Sequence, residues 1–497
     1  MHTDHPPVRL PRVYPRATHV NPPADVLRDM ARHEERTTTY GAPSYVSRIR
    51  SRSAKFTKTT VDPTFTAEDR NAVEAVIASL EQRELIQLDR WLGEDPRYRI
   101  HCRLYIPKEF ARIAYGWGEL LTEAPSDREP DLLTINVPDW PERKVLVDPL
   151  EKVNYIMGTD YIGETKMSFL RLWMFLWKER GGLAFHAGSK IVRVNNKPKW
   201  QLYFGLSGTG KTTLTNHPLG LPERRALLVQ DDIVAWLPDG LCLGSENKGL
   251  YVKTEGVSAD TQPAIYTALM QPRAILENVW VGPDGEVDLM NFELTTNGRA
   301  VIQLEDLPNA APSIDIPRVD QLFFITRNPL TPAIARLTRV QAVVAFMLGE
   351  SVETSAGDPT RAGQAVRVVG TNPFIIGPPG EEGNILLAFL EKFPHIECFL
   401  VNTGYVGEGI RRRKITLEDT VTLLRAVAEG TMTWHRDPEL QLEVPVDVPG
   451  LDVEDLLPQR YYTRDAFRER LARLRADRRA WLARFPELHP DVRNALY

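Results

Sequence analysis

The chain has 497 residues, 42% apolar and 26% charged, with a formal net charge of −5. That length exceeds what one hydrophobic core usually organises, so two domains are expected. The mildly acidic balance gives no electrostatic case for nucleic acid as a partner. Three cysteines, Cys102, Cys242 and Cys398, lie far apart without C-x-x-C spacing. This argues against a disulfide framework or a zinc site and suits a reducing cytoplasm. No apolar run reaches the ~18 residues that a membrane span needs. Residues 1–20 are rich in proline and lack an apolar signal core, so they read as an extended arm and not as a secretory signal.

In chain order, Val26, Leu27 and Met30 have helical spacing in the segment that begins at Ala24. Residues 50–58, basic and rich in hydroxyls, read by themselves as an exposed loop. Thr66-Ala-Glu-Asp69 can form a capping box, and a helix is expected over 66–87. Residues 86–92 alternate like a strand, 93–99 form a turn, 107–121 read as a helix, and 132–147 as short strands broken by prolines. Residues 161–168 lead into an apolar helix that Gly181 and Gly182 end. A strand follows with His186 near its end; by itself such a histidine is an ordinary core residue.

Leu202, Tyr203 and Phe204 read as a strand that runs into Gly205-Leu-Ser-Gly-Thr-Gly-Lys-Thr-Thr-Leu214. Gly205, Gly210, Lys211 and Thr212 fit the phosphate-loop pattern G-x-x-x-x-G-K-[ST], and a helix start is expected from Thr212. Backbone N–H groups of such a loop curl around phosphate oxygens. Lys211 can neutralise the terminal phosphates, and the Thr212 hydroxyl can ligate Mg²⁺. Residues 226–232 form a second apolar run that ends in Asp231 and Asp232, where an acid commonly serves the metal of a phosphate-loop enzyme. Further strand-like runs lie at 273–281, 321–326 and 397–402, and the short basic run 411–414 reads as a solvated loop. The fold class is mixed α/β, with the phosphate site in the second half.

These residues together resemble the ATP-dependent phosphoenolpyruvate carboxykinase family. The resemblance covers most of the chain: the phosphate loop, 93–99, Ala274-Ile-Leu-Glu-Asn-Val279, Leu337-Thr338 with Gln341-Ala342, Val401-Asn-Thr-Gly404 and Leu442-Glu-Val-Pro445 fall in family order. It implies a two-lobed fold, with a substrate-binding lobe over 1–181 and a phosphate-loop nucleotide lobe over 182–497. It implies conversion of oxaloacetate and ATP to phosphoenolpyruvate, ADP and CO₂, a step of gluconeogenesis. ATP, Mg²⁺ and Mn²⁺ are the implied cofactors, and a small anionic molecule is the implied substrate, with no membrane or nucleic acid partner.

The same resemblance assigns roles. Arg52 would grip a substrate carboxylate, Tyr161 would lie beside the carboxyl group that leaves, and Arg299 near the transferring phosphoryl; Lys166 and Lys211 complete the implied catalytic set. Ser207, Gly208, Thr209, Gly210, Lys211, Thr212, Thr213 and Lys253 would contact the phosphates, and Lys414, Ile415 and Thr420 the adenine. His186 and Asp232 would hold Mn²⁺, and Thr212 and Asp231 the nucleotide Mg²⁺. The chain departs from the family pattern near these positions. Met167 stands where the family has a second lysine, a metal ligand, and Asn247 and Gln262 stand where it has acids. Lys414 replaces an arginine, and Thr296-Asn-Gly-Arg299 replaces Glu-Asn-Thr-Arg. Two other readings stay open on the sequence: a kinase of another anionic acceptor on the same fold, and a non-catalytic ATP-binding regulator.

Overall fold

The Thr66 hydroxyl accepts the Asp69 N–H at 3.3 Å, and the Asp69 carboxylate accepts the Thr66 N–H at 2.9 Å. This reciprocal cap starts the helix Ala67–Ser79 where the sequence places it. The helix stops well short of residue 87, because a turn that donates the Arg83 N–H to Leu80 O delivers the chain into the strand Glu84–Leu92. In the computed structural model the described residues are 11–206, 208–222, 224–352 and 364–497. The end of the expected N-terminal arm is not free: Ala17–Val20 pairs in parallel with Glu84–Leu92.

The chain divides into two compact units, Met1–Leu176 with Ser245–Pro308, and Trp177–Gly244 with Asn309–Tyr497. The expected boundary near 181 thus lies close to the first crossing, but 245–308 return to the first unit instead of staying with the second. The cause is strand pairing. In a five-stranded sheet of that unit the order is Gly249–Lys253, Arg299–Gln303, Ile275–Glu277, Pro43–Tyr45, Arg36–Thr37. Leu276 and Glu277 pair in parallel with Ser44 and Tyr45. The same unit holds an eight-stranded sheet around Glu84–Leu92, Ile100–Pro107, Leu132–Val137 and Val153–Met157. Helix Ala67–Ser79 contributes Val76 to the core on this sheet.

The second unit is built on a ten-stranded sheet. Its long hairpin, Leu183–Val194 with Lys197–Phe204, is antiparallel. Lys197–Phe204, Gln321–Thr326 and Glu397–Asn402 then run parallel to one another. Side chains alternate between two cores: Leu202, Phe204, Leu322, Phe324 and Leu400 enter one, and Tyr203, Phe323, Ile325, Phe399 and Val401 the other. Burial on both faces is why these strands read as unbroken apolar runs. Aromatic rings stack across them, Tyr203 on Phe323 at 4.8 Å and Phe323 on Phe399 at 5.3 Å. Among the described residues no helix is long and apolar enough to cross a membrane.

Phe323 lies at the centre of this stack with no exposed surface. Phe323→Ala is expected to destabilise the second unit by about 3–5 kcal/mol. Urea unfolding followed by tryptophan fluorescence measures it, and a loss below about 1 kcal/mol would contradict the packing described.

Candidate active site

The expected phosphate loop leaves the strand Lys197–Phe204 at Gly205, where a Cβ would fall 2.5 Å from Thr209 Oγ1 and 3.3 Å from Ile325 Cβ. Only glycine allows the loop to fold back this tightly. Gly208 and Gly210 have φ of 81° and 99°, the left-handed region that turns successive N–H groups inward. Thr209 is buried; its hydroxyl donates to Leu206 O at 2.7 Å, and its carbonyl accepts the Thr403 hydroxyl at 2.7 Å. Ser207 lies outside the described residues. The helix Lys211–Asn216 follows, one residue earlier than expected.

Around this loop the second unit brings five of the expected residues together. Lys211 is buried and donates to Asp231 O at 2.6 Å, with its Nζ 3.8 Å from Asp232 Oδ1. The Thr212 hydroxyl donates to Asp231 Oδ2 at 2.9 Å. His186 Nε2 stands 3.0 Å from Asp232 Oδ1, and its Nδ1 is 2.7 Å from Thr371 O. The backbone carbonyl takes a proton from Nδ1 and so turns Nε2 toward the Asp232 carboxylate. Burial, helped by the Lys211 charge, lowers the His186 pKa against the pull of Asp232 and Thr371 O. An imidazole oriented by a carbonyl beside a carboxylate is the donor set that suits a divalent cation. The pair Thr212 and Asp231 offers two oxygens to a second one. Thr213 follows in the same helix. The expected adenine segment lies one contact further on. Ile415 N donates to Gly404 O at 2.9 Å, Lys414 is exposed on a short strand paired with Tyr405, and Thr420 is buried in the first turn of the helix Leu417–Glu429.

The first unit holds the remaining expected residues. Asn297 Nδ2 donates to Arg50 O at 2.8 Å and to the Tyr161 hydroxyl at 3.3 Å, and its Oδ1 accepts from Arg299 Nε and an Arg299 terminal NH2 at 3.1 and 2.9 Å. One amide thus ties the loop before Arg52 to Tyr161 and Arg299. Arg52 itself is flanked by anchored neighbours: Ser53 N donates to Glu164 Oε2 at 2.7 Å, and Arg143 donates to Ser51 O at 2.8 Å. The loop is therefore more than the solvated run that 50–58 suggest. The Tyr251 ring lies 5.5 Å from Lys166 Nζ and 5.7 Å from the Arg299 guanidinium carbon, edge-on to Tyr161 at 6.1 Å. Lys253 is opposite Arg299 across the strand pair and forms an ion pair with Glu255. Lys166 Nζ donates to Glu246 Oε2 at 3.0 Å.

Neither Tyr251 nor Asn297 carries a role in the sequence reading, although each precedes an assigned residue by two positions. On a strand that spacing puts Tyr251 and Lys253 on one face, a signal available in the sequence. Asn247, at a position expected to be acidic, does local work instead: its amide donates to Trp91 O, Gly93 O and the Thr122 hydroxyl at 3.0, 2.7 and 2.9 Å. Met167 is buried in the helix Ile162–Glu179. Its thioether is a soft donor, a poor match to hard divalent cations.

A family model described as phosphoenolpyruvate carboxykinase matches residues 17–454. A protein of Aeropyrum pernix named phosphoenolpyruvate carboxykinase (ATP) is 35% identical over 411 residues, 81% of this chain and 81% of that protein. One of the same name from Methylobacterium nodulans is 29% identical over 440 residues, 84% of this chain and 79% of its own. Another, from Afipia carboxidovorans, is 31% identical over 391 residues, 74% and 70% of the two chains.

Behind Tyr251, the buried Glu277 carboxylate accepts the phenol hydroxyl of Tyr251 and, at 3.0 Å, the Ile162 N–H. Burial pushes its pKa up to about 7, against the pull of Arg112 and these donors. A carboxyl that holds its proton better folded than unfolded contributes most at low pH. Stability therefore falls as pH rises from about 4.5 through 7. Glu277→Gln should flatten that limb, read as the change in Tm between pH 5 and pH 8; an unchanged slope would exclude Glu277 as its source.

Proposed function

The chain belongs to the ATP-dependent phosphoenolpyruvate carboxykinase family, and from that premise we propose how its own residues carry the reaction. The enzyme converts oxaloacetate and ATP to phosphoenolpyruvate, ADP and CO₂. The observation that carries the assignment of residues is the cluster of His186, Lys211, Thr212, Asp231 and Asp232 beside the glycine loop. The kinase and regulator readings are not favoured, since the family match spans nearly the whole chain.

In this reading the second unit is the nucleotide-binding lobe of a two-lobed fold and the first binds the substrate. Oxaloacetate is a dianion. Arg52 and Arg299 present forked donors that match carboxylate geometry. The Tyr161 hydroxyl, held by Asn297, lies beside the departing carboxyl. Lys166, paired with Glu246 at 3.0 Å, lies near Tyr161 across the Tyr251 ring. As the C–C bond breaks, its electron pair forms the enolate, and CO₂ leaves. The enolate oxygen then attacks the γ-phosphorus of ATP in line, and the bond to the bridging oxygen of ADP breaks. Lys211 and the N–H groups from Ser207 to Thr213, with Lys253, steady the phosphoryl oxygens during transfer. Lys414, Ile415 and Thr420 frame the adenine.

His186 and Asp232 would hold Mn²⁺, and Thr212 with Asp231 the Mg²⁺ of the nucleotide. When bound, these ions supply positive charge where oxygen becomes anionic. His186, held through Nδ1 by Thr371 O, presents Nε2 to the cation beside Asp232. Met167 adds no hard donor, so we assign the metal to His186 and Asp232 on the protein side. Three buried thiols accord with a cytoplasmic setting.

Purified protein supplied with ATP, Mn²⁺ and oxaloacetate should form phosphoenolpyruvate, seen as a new ³¹P resonance. ADP without phosphoenolpyruvate would overturn the acceptor assignment. Lys211→Ala should lower turnover by at least about 10²-fold, because one fixed donor to a developing anion contributes that much in a water-poor site. Its Tm should stay near that of the parent.

A further inference from the structure

Arg327 directly follows the strand Gln321–Thr326, which lies between the strand that feeds the phosphate loop and the strand Glu397–Asn402. All three run parallel, and in open α/β sheets ligands bind outside the carboxyl ends of such strands. The surroundings of Arg327 belong to the nucleotide segments. Ile325, two residues back, touches Gly205, where a Cβ would lie 3.3 Å from its own. Thr403 donates its N–H to Thr326 O at 3.0 Å and its hydroxyl to Thr209 O at 2.7 Å. Gly404 leaves room for the arginine stem: a Cβ there would sit 3.3 Å from Arg327 Cβ and Cγ. The Gly404 carbonyl in turn accepts the Ile415 N–H, and Tyr405 pairs with Lys414. Arg327 therefore stands between the phosphate loop and the adenine segment.

Its guanidinium lacks the partner such a group normally has. Nε is buried without a hydrogen-bond partner, and among the described residues no carboxylate pairs with the side chain. Burial lowers its pKa, a pull that Tyr405 only partly opposes. Partly burying a cation without a counter-charge costs stability, and a ligand that brings the charge removes the cost.

We propose that Arg327 is a nucleotide-contacting residue that binds the phosphate chain of ATP on its base-proximal side. The proposal rests on the phosphate-loop reading above. Phosphate is the favoured class because it is the anionic part of the ligand expected between these segments, and a planar fork of donors suits it. The substrate carboxylates are assigned to Arg52 and Arg299, which lie in the other unit.

Calorimetric titration of ATP, ADP and adenosine into the parent protein, Arg327→Gln, Arg327→Lys and Lys211→Ala tests this. Arg327→Gln should weaken ATP and ADP by about 10–100-fold, the range for hydrogen bonds to a charged group. Arg327→Lys should recover part of the loss, and adenosine affinity should not change. The Tm without nucleotide should stay level or rise, since an unpartnered charge is removed. Arg327→Met, which keeps the aliphatic stem on Gly404, repeats the test if the glutamine variant folds poorly. Unchanged ATP affinity in the Arg327 variants, with loss in Lys211→Ala, would overturn the proposal and leave the phosphate loop standing. Equal losses for adenosine and ATP would overturn it in favour of stacking on the base. If Lys211→Ala also kept its ATP affinity, the phosphate-loop reading itself would fall.

Discussion

Three parallel strands with no polar face organise the second unit of this enzyme. Lys197–Phe204, Gln321–Thr326 and Glu397–Asn402 are covered on both sides by apolar clusters. Polar side chains have little place along them, and the backbone groups that need new partners are those where the ladders stop. At that edge the chain changes from β-branched and aromatic residues to glycine, threonine, asparagine and arginine. The phosphate loop, Arg327 and 402–405 all occur there. The Asn402 amide alone donates to Asn328 O, Thr331 O and Tyr405 O at 2.9, 2.9 and 3.0 Å. A rigid apolar base thus fixes loops that would otherwise lose much entropy on ordering.

The first unit solves a different problem, the crowding of like charges. Arg299, Lys166 and Lys253 approach one another around Tyr251 and Tyr161. Repulsion is relieved in two ways. Acids are distributed one to a cation, Glu246 to Lys166 and Glu255 to Lys253, and aromatic faces lie between the cations. Asn297 orients Arg299, since its neutral amide oxygen accepts two guanidinium hydrogens.

What the sequence made legible follows from what is local. The turn from strand to helix at 205–211, the capping box at Thr66 and the apolar strands are set by residues adjacent in the chain, and each forms at or near its expected place. The helix expected over 66–87 ends at Ser79, and the apolar residues beyond it, Leu80 and Leu85, fit either period. Membership of 245–308 in the first unit could not be read, since it depends on the pairing of Leu276 with Ser44. The roles of Tyr251, Asn297 and Asn247 were hidden for the same reason. Their partners lie far along the chain, and single amides or phenols carry no motif. Arg52, Tyr161 and Arg299 carry a role only through family order, since residues 50–58 by themselves read as an exposed loop.

The insertion of one unit into the other has a consequence for the chain during synthesis. Ser47 meets its buried partner Asn278 across 231 residues of sequence, so the short strand Pro43–Tyr45 emerges from the ribosome long before its neighbour exists. At about 5–20 residues per second, the nascent first unit must wait many seconds with an unpaired strand edge. Such an edge can capture another chain, and the loop-closure entropy of so distant a pairing slows its formation further. The first unit is thus completed only after 177–244 of the second have been made. Substitutions along 36–45 should therefore affect the yield of folded protein more than its equilibrium stability.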